Sequence, residues 1–188
     1  MANLKLTTHI SSEISNKILA KTKAKMGFAP NMYLKMGQNP ALLDSYAYAY
    51  NSFRQNAGFT PVEQEVILLS VAYENACTYC MAAHSFVADN MTKVPTEVTD
   101  AIRDNTPIKA EKLAALSKLT KELTRNRGIV PPELINEFLS VGYSENHVLG
   151  IIAGIAVKTM SNYANHNTAP EIDEVFASRK WTPTEKNK

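Results

Sequence analysis

One helix-opening signature recurs along this chain: a capping residue with proline at the first helical position. Asn39-Pro40, Thr60-Pro61 and Pro131-Pro132 each stand before an apolar run of helical spacing. Proline has no N–H to lose there, and its φ is already helical. The same residue is excluded from the interior of a central strand. Thr60 and Glu63 form the two ends of a capping box. Asn39-Pro40 opens a segment to about Phe53, Val94-Pro95-Thr96 begins a short helix, and Thr106-Pro107 precedes a longer one. Helix ends are marked as well, by Gly128 after Arg125 and by Gly142 after Ser140. No stretch alternates convincingly at period two, so no sheet is expected. The chain reads as all-α, a single-domain multi-helix bundle over residues 1–188, with arms or tails at Met1 to Thr8 and Arg179 to Lys188.

The last long helix is expected from His147 to about His166, with Ser144 as its cap. Its first half, Val148 to Val157, is apolar all round, which places it centrally in the core or at a subunit interface. Gly150 and Gly154 would let another backbone approach closely.

Composition narrows the function classes. Hydrophobic residues make up 45% and charged residues 20% of the 188, the profile of a globular protein. A net charge of +2 gives no reason to expect nucleic acid or a membrane surface as partner. The run Val148 to Val157 is too short to cross a bilayer, which needs roughly 20 residues. Met1 to Lys5 lacks the apolar stretch of a signal peptide, so a cytoplasmic location is the expectation. In a reducing compartment, two cysteines spaced so closely are a poor structural staple.

Those two cysteines carry the chemistry. Cys77 and Cys80 stand at the expected start of a helix, so their sulfurs can face each other across its first turn. His84, four residues on, shares that face. Free amides and the helix dipole at an N-terminus stabilise an anion, and a Cys-x-x-Cys thiol there falls from ~8.5 to ~3.5–7.5. On the preceding helix, Glu65 lies at the edge of the apolar stripe of Val62, Val66, Leu69, Ala72 and Tyr73. Partial burial would raise its pKa and suit it to proton transfer, orienting His84 or relaying its proton. Glu63 is assigned to capping and Glu74 to the surface. Zinc is the rival reading, with Cys77, Cys80, His84 and Glu65 as ligands of acceptable type. Against it, structural zinc sites usually draw on two knuckles, and there is no second Cys/His cluster. Met81 after the second cysteine excludes a haem attachment site. His9 is expected in solvent, His147 near a helix start, and His166 at a helix end from which the site is within reach. Tyr79 reads as a packing residue, and Tyr46, Tyr50, Met81 and Phe86 as lining for an apolar pocket.

Glu65, Cys77-x-x-Cys80 and His84, with Val66 to Ala72 between them, resemble the alkylhydroperoxidase D-like branch of the carboxymuconolactone decarboxylase superfamily. The likeness is nearest to its peroxidase-related subgroup, and the core motif lies within about residues 60–125. The resemblance implies an all-helical fold, trimers or hexamers, and reduction of hydrogen peroxide or organic hydroperoxides through a Cys77–Cys80 disulfide. It makes Cys80 the peroxidatic cysteine and Cys77 the more exposed, resolving one. A dithiol, thioredoxin-like or lipoyl protein would be the reductant, and His84 and Glu65 the proton relay. No cofactor or metal is called for. Tyr79 departs from the family pattern, where a histidine precedes the second cysteine in the best-known member. The other functions open to the pair are disulfide reduction or redox sensing with a protein partner, and non-redox zinc binding.

Overall fold

A computed structural model describes residues 4–6 and 9–183. Nine α-helices account for most of them, and no strand occurs among the described residues. They are α1 (Glu13–Met26), α2 (Asn31–Met36), α3 (Pro40–Asn56), α4 (Pro61–Glu74), α5 (Thr78–Val87), α6 (Thr96–Asp104), α7 (Glu111–Arg125), α8 (Pro132–Ser140) and α9 (Glu145–Thr168). A π turn (Ala88–Thr92) continues α5, and a 3-10 helix (Glu174–Arg179) follows α9.

The capping signatures act as their chemistry dictates. Asn39 accepts from the Leu42 N–H at 3.1 Å, and Thr60 and Glu63 form a reciprocal capping box. Ser144 and His147 do the same for α9. The chain before Asn39 carries no such proline signature, so α1 and α2 were not assigned from the sequence. Their local marks are Ser12, which caps α1, Gly27, which ends it at a φ of 85°, and Pro30, the N-cap of α2.

The central element is α4. Its Val66, Ile67, Leu68, Leu69, Val71 and Ala72 have no solvent exposure, and α5, α6, α7 and α9 pack around it. A helix buried on every side needs apolar residues all round, and α4 supplies them. The apolar half of α9 is different: it buries Gly150, Ile151, Gly154 and Val157, while Leu149 and Ile152 lie 65% and 48% exposed. The two glycines explain how α9 comes so close. A Cβ on Gly150 would stand 2.6 Å from the Ala57 carbonyl oxygen, and one on Gly154 would stand 2.8 Å from the Ile67 side chain.

Between α4 and α5 the chain reverses within three residues. Ala76 takes a left-handed φ of 50°, which costs a residue with a Cβ about 1–2 kcal/mol. Asn75 Nδ2 donates to Asn162 Oδ1 on α9 at 2.9 Å and fixes that turn against the long helix. At the other end of the chain, Arg179 pairs with Asp89 and Asp100, and Trp181 Nε1 donates to the Arg103 carbonyl. Residues 179–183 are therefore packed rather than a tail, while 1–3, 7–8 and 184–188 lie outside the described residues. Among the described residues no helix is long and apolar enough to cross a membrane.

Candidate functional site

Cys77 is the N-cap of α5 and Cys80 its third residue, both free thiols. Their exposures are 1% and 2%, so Cys77 is not the more exposed of the two, contrary to what the resemblance implies. The sharp turn at Ala76 carries both sulfurs inward, under α9.

Helix α9 meets them with a polar stripe. Lys158, Ser161, Asn162 and Asn165 follow the i, i+3, i+4, i+7 pattern of one helical face, and all four are buried. Asn165 Nδ2 donates to Cys80 Sγ at 3.2 Å and to Cys77 Sγ at 3.6 Å. Ser161 Oγ lies 3.8 Å from the Cys80 sulfur. Lys158 Nζ is fully buried and makes no hydrogen bond. These α9 residues were missed in the sequence reading. The signal was present: four polar side chains at core spacing in a helix whose preceding turns are apolar.

The two thiols are driven apart in acidity. Burial pushes Cys77 up, and the Cys80 sulfur that accepts its proton pushes it further. Burial also opposes the Cys80 thiolate, but the hydrogen bond from Cys77, then the Lys158 ammonium, then His84 outweigh it. Cys80 is held well below the ordinary thiol range, so it is the thiolate of the pair.

On the other side of α5 stands a second network. His84 Nδ1 donates to Glu65 Oε2 at 2.8 Å. Glu65 Oε1 accepts from Arg54 Nη2, which also donates to the Tyr50 hydroxyl at 2.6 Å. Arg54 Nη1 donates to Gln64 Oε1 at 3.1 Å. The expectation for Glu65 needs correction. It is fully buried, and burial does press its pKa upward, but His84 and then Arg54 more than offset this and hold it below the usual carboxylate value. Glu65 is thus a fixed anion that orients His84 rather than a proton carrier poised near neutrality. His84 is lowered, first by burial and then by the Lys158 charge, against the pull of Glu65. With Nδ1–H committed to the carboxylate, the neutral ring keeps Nε2 as its basic nitrogen.

Three tyrosines complete the surroundings. The Tyr33 and Tyr46 rings meet edge-on at 5.6 Å, and Tyr46 and Tyr50 stack at 5.8 Å. Burial keeps the Tyr46 and Tyr50 hydroxyls protonated, and the Cys80 charge adds to the effect. Tyr46 and Tyr50 lie near enough to Cys80 for its charge to act on their hydroxyls, while Met81 is wholly buried in the core and Phe86 packs on Phe176. Tyr79 points away from the sulfurs: its hydroxyl donates to Asp173 and accepts from the Met32 N–H, and its ring packs on Phe176.

The remaining candidates resolve simply. His166 stacks on Tyr163. His147 serves the α9 cap, and His9 is exposed. Glu63 caps α4 and accepts from Tyr143. Glu74 is not a free surface group, since its side chain is 8% exposed and paired with Arg125. The four proposed zinc ligands do not converge: Glu65 spends its oxygens on His84 and Arg54, and the described residues hold no cluster of three or more metal-ligating side chains.

No family model matches the sequence, and no curated protein matches it. Solved structures do. A peroxidase-related protein with an alkylhydroperoxidase AhpD core, from Ralstonia eutropha JMP134, superposes with a TM-score of 0.79 at 18% identity, covering 96% of this chain and all of its own. A peroxidase-related protein from Silicibacter sp. TM1040 gives 0.78 at 16% identity, covering 95% and 98%. The debrominase Bmp8, in a cysteine-to-alanine variant bound to 2,3,4-tribromopyrrole, gives 0.75 at 18% identity, covering 94% and 96%. Matches this complete, around a buried Cys-x-x-Cys pair, give the chain the alkylhydroperoxidase D-like fold.

Proposed function

We propose that this chain is a thiol-dependent peroxidase in which Cys80 reduces hydrogen peroxide or an organic hydroperoxide. The observation that carries the reading is a buried pair of free thiols one turn apart at the start of α5, both contacted by Asn165 Nδ2, with Cys80 pushed toward the thiolate and Cys77 away from it. The Cys80 thiolate attacks a peroxide oxygen. The O–O bond breaks, His84 Nε2 relays a proton from solvent to the departing alkoxide or hydroxide, and Cys80 becomes a sulfenic acid. Cys77 then displaces the hydroxyl: an S–S bond forms, the S–O bond breaks and water departs. Two electrons from a dithiol return the pair to its reduced state, and no metal or flavin enters the cycle. Glu65 orients His84, and Arg54 keeps Glu65 ionised.

Burial favours this over first reaction with a protein disulfide. At 1% and 2% exposure the cysteines are out of reach of a folded partner unless the α4–α5 turn moves, whereas a peroxide is the smaller reactant to admit. The same argument favours a small dithiol, such as a lipoyl group, as reductant. The exposed apolar strip of α9, with Leu149, Ile152 and Tyr163, supports association with further copies of the chain.

A second reading has the thiolate take a halogen instead of an oxygen. The Tyr46–Tyr50 stack offers a flat aromatic wall near Cys80, and one protein of this fold is a debrominase. Both readings are tested by supplying wild type and Cys80→Ser with a dithiol and either a hydroperoxide or a brominated pyrrole. Peroxide consumption that vanishes in Cys80→Ser supports the first, and bromide release without peroxide consumption supports the second. Consumption of neither substrate, with both thiols still reduced, overturns both.

A further inference from the structure

A fully buried ammonium without a hydrogen bond is costly, because it has left water and gained nothing fixed in return. Lys158 Nζ is such a group. Its neighbours on α9 say what it serves. Ser161 and Asn165, one and two turns along the same face, both hydrogen-bond to Cys80. No carboxylate pairs with the lysine, because the buried anion of this region, Glu65, is taken by His84 and Arg54.

We propose that Lys158 is the counter-ion of the Cys80 thiolate and thereby sets both the reactivity and the reduction potential of the Cys77–Cys80 pair. The inference deepens the proposed redox function and rests on the pair being redox-active. Its charge arithmetic is simple. Arg54 and Glu65 cancel, His84 is neutral, and Lys158 is balanced only when Cys80 is ionised. Oxidation of the two thiols to a disulfide, with two electrons passing to the oxidant, removes the thiolate and leaves the ammonium alone. The lysine therefore stabilises the reduced state over the disulfide and makes the pair more oxidising, as any group that stabilises the reduced form does. Other groups facing the sulfur are Cys77 and His84 on α5, Glu65 on α4, and Tyr46, Tyr50 and Arg54 on α3. None of them is a cation without a partner.

The test uses Cys77→Ser, which leaves one thiol in the chain and keeps a hydroxyl donor beside it. Ultraviolet thiolate absorbance is followed against pH with Lys158, Lys158→Met and Lys158→Arg. Removal of an opposite charge at this range is expected to raise the Cys80 midpoint by about one to three pH units. Lys158→Arg should restore most of the loss. In the two-cysteine protein, the potential read against a dithiol buffer should fall in Lys158→Met by about 30 mV for each tenfold lost in thiolate stability. If Lys158→Met does not fold, Lys158→Gln is read in the same way. A midpoint and potential unmoved by loss of the charge overturn the proposal, as does a Lys158→Arg protein that behaves like Lys158→Met. Peroxide turnover is measured alongside. A midpoint that moves with Lys158 in a chain that consumes no peroxide refutes the peroxidase and keeps the counter-ion.

Discussion

Two cations stand beside the site of α5, Arg54 partly buried and Lys158 wholly so, and they are held in opposite ways. Arg54 is tied at every turn, to Glu65, Tyr50 and Gln64. Lys158, with no exposed surface, is tied to nothing. The arginine side is a finished network whose members fix one another: Arg54 holds Glu65 ionised, Glu65 orients His84, and His84 is left with one basic nitrogen. The lysine side is completed only by an anion on sulfur, and it is left unbalanced when the pair is oxidised. The difference separates structural charge from reactive charge within one helix diameter.

The largest expected effect breaks the finished side. Arg54→Met should cost about 3–5 kcal/mol of stability, because it strands a buried carboxylate. A urea or thermal melt of reduced protein reads this, and a loss under 1 kcal/mol would show that the network is not cohesive. Next comes His84→Ala, which should lower kcat/KM for peroxide by about 10²–10⁴-fold without changing which cysteine reacts. A variant with wild-type turnover would remove His84 from the mechanism.

The pH dependence follows from the directions of the shifts. His84 is lowered in the folded protein, so the unfolded chain binds its proton first and unfolding takes up protons. Stability should therefore fall as pH drops below about 6.5, and again below about 4.3 as the likewise lowered Glu65 is protonated. Denaturation midpoints between pH 7 and 5 check this. His84→Gln should flatten that stretch, and an unchanged slope would assign it elsewhere. The smallest effect sharpens the contrast: Lys158→Met should leave the thermal stability of the oxidised, disulfide-bonded protein unchanged or raise it slightly, since there the ammonium has no thiolate to pair with. A loss matching that of Arg54→Met would make Lys158 structural.

How much of this was legible in the sequence follows the same division. Local signals were reliable because they are short-range physics. Pro40, Pro61 and Pro132 begin helices, and Thr60 with Glu63 makes its capping box. Cys77, Cys80 and His84 fall in register at the start of α5 by helical spacing alone, and Glu65 on α4 meets His84. What was lost depends on contacts distant in the chain. Lys158 and Asn165 reach the cysteines across about eighty intervening residues, and no motif links them. The direction of the Glu65 shift was misjudged for the same reason. Burial was foreseen, but the Arg54 partner, eleven residues earlier on α3, was not. The apolar half of α9 was read as central in the core or at a subunit interface; within the chain it is covered on one side, and α4 is the helix buried all round, because an apolar stretch does not say which of its sides is covered or by what.

The central claim is that Cys80 is the nucleophile of a redox pair. The direct measurement treats Cys77→Ser with one equivalent of peroxide in the presence of a sulfenic-acid trap and locates the adduct by mass spectrometry. The account predicts an adduct on Cys80, and none when the same treatment is given to Cys80→Ser. A chain that forms no adduct, or one whose adduct forms as fast on Cys77 in Cys80→Ser, would contradict it.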